Sequence, residues 1–327
     1  MKKLTCEICG SNDLIKKDDF FECETCGSKY SVEEVKKIVL EGNINISGST
    51  VKIDNSSNIE NCLNLAKYAY EIGDWSKSKM YCDKILELDS KNYEAWFIKG
   101  KSIAWQSYIQ EAIICFFNTL DNAPEDKIDE IKVKLTNEAQ EIMLSIILWR
   151  CKQFLTVPNP NSKQFVQYPS VVDAELVIEN AKFIKQNLEK LLLRCEFENS
   201  DLGYKILLMI YNFAVDNWNN EIVYEYSKIQ QHPSWEEWQC FWMGGDAVVY
   251  LIEKSISLLD ENNSIFTAIY ENLINIYEIV ISENDKYISK DKLGHRLSRE
   301  YDYIRANKIM EWHKKWKELD STHIIPD

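Results

Sequence analysis

The chain has 327 residues, 45% hydrophobic and 12% aromatic, enough to bury a large core and too apolar for a disordered protein. Its net charge of −14 favours solubility and argues against a general nucleic-acid coat. No apolar run approaches the ~18–20 residues of a membrane-spanning helix, and ten glycines and six prolines suit a mostly helical chain.

The N-terminus runs straight into a cysteine pair, which predicts no signal peptide and a cytoplasmic protein. Richness in lysine, isoleucine and asparagine suggests a low-GC bacterial or phage source. The first chemistry-bearing residues are Cys6, Cys9, Cys23 and Cys26, in two C-x2-C pairs each followed by glycine (Gly10, Gly27). Two residues between thiolates let one tight turn aim both sulfurs at one metal, and glycine there can take positive φ. Leu14-Ile15-Lys16 and Phe20-Phe21-Glu22, either side of Lys17-Asp18-Asp19, read as a hairpin between the two pairs.

This arrangement resembles the zinc ribbon of the general transcription factor TFIIB, over residues 4–30. The resemblance implies one structural zinc ion held by Cys6, Cys9, Cys23 and Cys26. Four thiolates fill a tetrahedral ion and leave no place for substrate. Residues 1–41 carry seven lysines against nine acids, a balance of −2, which disfavours phosphate binding by this region. Phe20, Phe21 and Tyr30 read as its small apolar core. The other cysteines, Cys62, Cys82, Cys115, Cys151, Cys195 and Cys240, are scattered through helical patterns and read as buried reduced thiols.

Residues 31–41 begin with a capping-box pattern, Ser31 and Glu34, and predict a short helix stopped by Gly42. Residues 43–46 and 51–54 alternate apolar and polar, predicting two short strands around Ser47-Gly48-Ser49. Two strands alone are marginal; they would pack on the ribbon, on the helices or on another copy of the chain, so a homo-oligomer stays open.

From Ile59 a period of 34 residues sets in: Ala66 with Gly100, Ser78 with Ala112, Cys82 with Phe116, Leu86 with Leu120 and Ser90 with Pro124. Small residues at 66/100 and 78/112 allow close helix approach, and larger ones at 82/116 and 86/120 fill the seam. The pattern, with Gly73-Asp74-Trp75 at a turn, resembles the tetratricopeptide repeat over residues 59–125. It departs at Ser90, where proline is usual, and at Ser107-Tyr108, which lacks the Gly-Asp turn. The resemblance implies a groove lined by the first helix of each unit, here Lys67, Tyr70, Phe97, Lys101 and Trp105.

Beyond the repeats, residues 127–155 predict a long helix and the proline-bearing stretch 156–170 a loop. Helical patterns follow at 171–197, 201–218, 221–230, 246–260, 264–281 and 293–319, with Gly244-Gly245 read as a helix break. Trp235, Trp238 and Trp242 fall on one helical face, which reads as core with a partner patch as the alternative. The domains expected are a zinc ribbon with short helix (1–41), a β linker (42–58), helical repeats (59–155) and a C-terminal helical region (171–320). The fold class expected is mostly α.

Residues 286–317 hold ten basic and four acidic side chains, leaving the remaining chain at −20. Arg296, Arg299, Arg305 and Lys308 are the candidates there for nucleic-acid contact, against a helix docked on the acidic body of the same chain. His295 and His313, about 27 Å apart on a continuous helix, cannot share a ligand. No H-E-x-x-H, G-x-S-x-G, phosphate-cradling glycine loop or EF-hand loop is present, so no catalytic residue is assigned and no enzyme is expected. Small bacterial and phage proteins that join a TFIIB-type ribbon to helical repeats resemble the whole arrangement. The function expected is a non-enzymatic zinc-binding adaptor that binds a protein partner through its repeats. The alternative is a nucleic-acid-binding regulator using the ribbon and the basic C-terminal helix.

Overall fold

A computed structural model describes residues 14–17, 20–31, 44–46, 49–51, 56–155, 171–198, 201–229, 232–259, 263–290 and 296–326. Cys6, Cys9, the expected helix at 31–41 beyond Ser31, and the expected loop 156–170 lie outside the described residues. Two compact units divide the chain, residues 1–65 and 66–327.

The first unit holds β1 (Leu14–Lys17), β2 (Phe20–Cys23) and β3 (Lys29–Ser31) in one antiparallel sheet, in that order. Leu14 pairs with Cys23 and Lys17 with Phe20, so the expected hairpin is present, and β3 adds a third strand. Leu14, Phe21, Cys23 and Tyr30 are buried. Phe20 is only half-buried, with Lys29 Nζ 4.8 Å from its ring centroid. A second sheet pairs β4 (Ile44–Ile46) with β5 (Ser49–Val51). Its second strand therefore starts at Ser49, inside the expected turn. β4 lies against β1, which gives this small sheet a neighbour within its own unit.

The rest of the described chain is helical: α1 (Ser56–Glu71), α2 (Trp75–Leu88), α3 (Tyr93–Trp105), α4 (Ile109–Asp121), α5 (Ile128–Leu155), α6 (Val171–Arg194), α7 (Leu202–Asn217), α8 (Tyr224–Ser227), α9 (Trp235–Ser255), α10 (Ile265–Lys290) and α11 (Arg296–Leu319). The unit boundary falls inside α1. The protein is thus mostly α, and among the described residues no helix is long and apolar enough to cross a membrane.

The 34-residue spacing is physical as well as textual: Glu71 and Trp105 close the first helix of each pair, Trp75 and Ile109 open the second. Gly73, at φ 79°, donates its N–H to Tyr70 O, and Asp74 donates to Ala69 O. Asp74 then caps α2 by accepting from Lys77 N at 3.0 Å. Thirty-four residues on, Ser107 takes the same left-handed position, φ 68°, donating to Ala104 O while Tyr108 donates to Ile103 O. The second turn is therefore built without glycine and without a side-chain cap. Ala66, Gly100, Ser78, Ala112, Cys82 and Phe116 are all buried. Leu86 is half-buried, and its neighbour Ile85 takes the fully enclosed place. Ser78 Oγ donates to Ala66 O and accepts from Ser102 Oγ, each at 2.9 Å, tying α2 to α1 and α3.

Residues 59–155 and 171–320 do not have separate cores. One continuous hydrophobic cluster extends from Ile103 to Trp312. Its hub is α9, which packs on α5, α6, α7 and α10 and is buried continuously from Phe241 to Val249. The expected break at Gly244-Gly245 is corrected here: α9 runs through both residues without interruption. A Cβ on Gly244 would stand 2.8 Å from Ile222 Cδ1, and one on Gly245 2.7 Å from Val280 Cγ2. These glycines let neighbouring chains approach. Their helix-propensity cost of about 1 kcal/mol each is outweighed by the apolar burial around them, about 1.5–3 kcal/mol per large side chain. The expected helix at 221–230 is largely a π-helical turn, Trp218–Val223, continued by α8. Trp238 and Trp242 are core, whereas Trp235, on the first turn of α9, stays exposed.

Candidate functional site

The helix pairs and α5 enclose a groove of about 420 Å³. Tyr70 of α1 and Phe97 of α3 form its aromatic floor, and Lys67, Lys101, Lys127 and Lys134 surround it. Lys101 is deeply committed: its Nζ sits 4.4 Å from the Tyr70 centroid, 4.7 Å from that of Phe97 and 2.7 Å from Glu138 Oε2. A cation over two ring faces is attracted by both quadrupoles. Lys67 pairs with Glu94 at 2.9 Å.

Lys127 and Lys134 have no carboxylate partner among the described residues, and Lys134 Nζ hangs 5.7 Å over Phe97. Glu71, Glu94 and Glu130 also line the walls, so the groove is amphipathic with an aromatic base and two unmatched cations at its α5 side. Burial raises the Tyr70 hydroxyl above its ordinary value, with Glu138 and Glu141 adding to this and the Trp105 hydrogen bond opposing it. It stays protonated at neutral pH.

Four of the five residues expected to line the groove do so: Lys67, Tyr70, Phe97 and Lys101. Trp105 does not. It stacks on Trp75, centroids 5.4 Å apart, and donates Nε1–H to Tyr70 Oη at 3.0 Å, so it fixes the floor from behind. Lys127, Glu130, Ile131 and Lys134 were not anticipated. Glu130, Ile131 and Lys134 belong to α5 and Lys127 to the short 3-10 turn that leads into it, beyond the last matching pair of the repeat. Their i, i+3, i+4, i+7 spacing marks one helical face and was a usable signal.

In the N-terminal unit, Cys23 ends β2 and Cys26 lies in the turn that follows. Gly27 N–H donates to Cys23 O at 2.8 Å, and Gly27 has φ 74°. Cys23 is buried and Cys26 exposed. This tight turn, with glycine in the left-handed region, is the local geometry that a C-x2-C zinc knuckle needs. Among the described residues no group of three or more metal-ligating side chains comes together.

The basic C-terminal helix is corrected in part. Arg305 is 2% exposed. Its Nε and Nη2 donate to the two Asp246 oxygens at 2.9 and 2.7 Å, and its Nη1 to Asp302 Oδ1 at 2.7 Å. Burial raises the Asp302 carboxyl above its ordinary value, against opposing bonds from Asn284 and Arg305. Asn284 in turn accepts from Trp238 Nε1 at 2.9 Å. Arg305 is a core clamp between α9 and α11 and does not reach a phosphate. Lys308 pairs with Glu253 and Glu311. Arg299 is exposed, and the side chain of Arg296 lies outside the described residues.

Four of the six helical cysteines are inert core thiols: burial pushes Cys82 and Cys151 up to about 12 and Cys115 and Cys195 up to about 11, whereas Cys62 and Cys240, expected to be buried as well, are only half-buried because they lie toward the outer faces of their helices. No protein-family model matches the chain, and no curated protein matches it.

Proposed function

We propose that this is a non-enzymatic adaptor that binds an extended segment of a partner protein in the groove between α1, α3 and α5. The observation that carries the reading is the convergence of Tyr70, Phe97 and four lysines on one concavity. The aromatic floor offers apolar burial to a partner side chain. Lys127 and Lys134 offer charge to a partner carboxylate, a pairing that favours an acidic or carboxylate-bearing segment. The resemblance to tetratricopeptide repeats supports the same surface. The nucleic-acid alternative draws less support, because Arg305 and Lys308 are engaged within the chain.

The test is a pull-down with the full chain from native lysate, with and without nuclease, comparing the parent with Phe97→Ala and Lys134→Glu. The expected result is a protein partner that survives nuclease and is recovered at least tenfold less by both variants, since a central aromatic anchor and a rim charge act together. Lys134 is exposed, so its variant separates lost binding from lost folding. Equal recovery by Lys134→Glu and parent removes the groove, and partners that vanish with nuclease move the assignment to nucleic acid.

The N-terminal unit carries a zinc ion on Cys6, Cys9, Cys23 and Cys26 in this reading, with a structural role. Its described core is four residues, too small to hold alone. Chelation should unfold the ribbon and leave the helical circular dichroism intact, and Cys23→Ser should lose the metal. Purified protein without stoichiometric zinc, or a Cys23→Ser variant that keeps it, rejects the assignment.

A further inference from the structure

After α11 the chain turns sharply. Asp320 Oδ1 accepts from Thr322 N at 3.0 Å and from Thr322 Oγ1 at 2.6 Å, and His323 N–H donates to Asp320 O. This turn folds His323 back onto α11. Its ring lies flat on Trp316, centroids 4.0 Å apart and planes 7° apart. Its Nε2 meets His313 Nδ1 at 2.8 Å. His313 is 7% exposed, and its other nitrogen, Nε2, is buried with no hydrogen-bond partner among the described residues.

We propose that His313 and His323 form a proton-operated latch, which holds residues 320–326 against α11 at neutral pH and releases them on acidification.

Only one proton fits between nitrogens 2.8 Å apart. A neutral pair, or a pair with one added proton, keeps the hydrogen bond; a second added proton sets two N–H groups and two positive charges against each other. The docked pair therefore takes up one proton fewer than the open pair. The charged groups that face it are Glu278 of α10, opposite His313, and Asp320 of the turn, beside His323. Burial holds the His313 ring below its ordinary value and the charge of His323 lowers it further, while Glu278 partly opposes both. A lowered value in the docked state means full latch strength above the ordinary histidine value of about 6.5 and loss as pH falls below it. A one-proton difference weakens docking up to about tenfold per pH unit. Trp316 supplies the apolar seat, which is vacated when the charged ring leaves.

Hydrogen exchange of the peptide covering residues 316–326, normalised to intrinsic rates, tests the latch in the full-length protein. Between about pH 7.5 and about pH 5, either side of the histidine range, protection of the parent should fall by roughly tenfold per unit below about 6.5. The His313→Leu/His323→Phe variant keeps a ring on Trp316 and carries no titrating group there, so its protection should be flat. A flat parent, or an equal fall in the variant, overturns the latch. Should the variant fail to dock, ring titrations of the parent by NMR decide: the latch requires the second proton to enter well below the first, and two independent titrations near the ordinary value reject it.

Discussion

The second helix pair buries Phe116 in the place where the first buries Cys82, and each large or small choice is matched on the facing helix. Gly100 lies beneath Phe116: a Cβ there would stand 2.6 Å from Phe116 Cε1. The equivalent residue of the first pair is Ala66, which keeps its Cβ and is fully buried. Alanine with cysteine and glycine with phenylalanine are two divisions of the same space. The turns divide their costs in the opposite sense. The first pair has Gly73 in the left-handed region and Asp74 as a cap, whereas the second forces Ser107 into that region and has no side-chain cap. A repeat thus conserves spacing and backbone path, while its side chains can be exchanged if both members of a pair move together.

The largest break in this comparison should come from Phe116→Ala, which empties the seam above Gly100 and costs roughly 3–5 kcal/mol by loss of transfer energy plus a cavity. Gly100→Ala should cost less, roughly 1–3 kcal/mol, because the ring of Phe116 is enclosed and cannot swing away. Combining Gly100→Ala with Phe116→Leu trims the ring that the new methyl meets, so the double variant should lose less than the sum of the singles. Urea unfolding followed by helical circular dichroism reads the parent, Gly100→Ala, Phe116→Leu and their double variant as one cycle, with Phe116→Ala beside them. Strict additivity in this cycle would mean that residues 100 and 116 do not share one space.

The same pairs show what the sequence made legible. Small residues 34 apart pointed to the close approach because size at a seam is a local property that repeats. Phe97, Tyr70 and Lys101 came instead from the resemblance to the tetratricopeptide repeat, which implies a groove lined by the first helix of each unit. Gly244-Gly245 misled because glycine inside a helix looks like a break by local propensity, and the chains that need its missing Cβ, at Ile222 and Val280, come from elsewhere in the fold. Arg305 misled for a related reason: net charge along a helix says nothing of which face is buried. Its signal was on another helix, in Asp246, a lone acid within the apolar run from Phe241 to Ile252, where burial demands a cationic partner. The His313–His323 contact had no signal in periodicity, because the turn at Asp320 and not the helix brings the rings together. Lys127 and Lys134 were missed by stopping the groove where the repeat stopped.

The smallest effect concerns the turn alone and is the sharpest test of the repeat comparison. Ser107 sits at φ 68° with an exposed side chain. A residue with a Cβ gives up about 1–2 kcal/mol in that region. Ser107→Gly removes this strain but adds freedom to the unfolded chain, roughly 0.5–1 kcal/mol. The net should be a gain of about 0.5–1 kcal/mol, a rare stabilising change to glycine. The reciprocal Gly73→Ser should lose a similar amount, since nothing lies within 4 Å of a Cβ there and backbone strain is the only cost. Both are read as shifts of the urea midpoint at constant slope. Opposite signs would establish that the two turns are one backbone motif occupied by different residues. A loss in both would mean that Ser107 gains from its own surroundings something that glycine cannot replace, and the equivalence of the two turns would end at the hydrogen bonds.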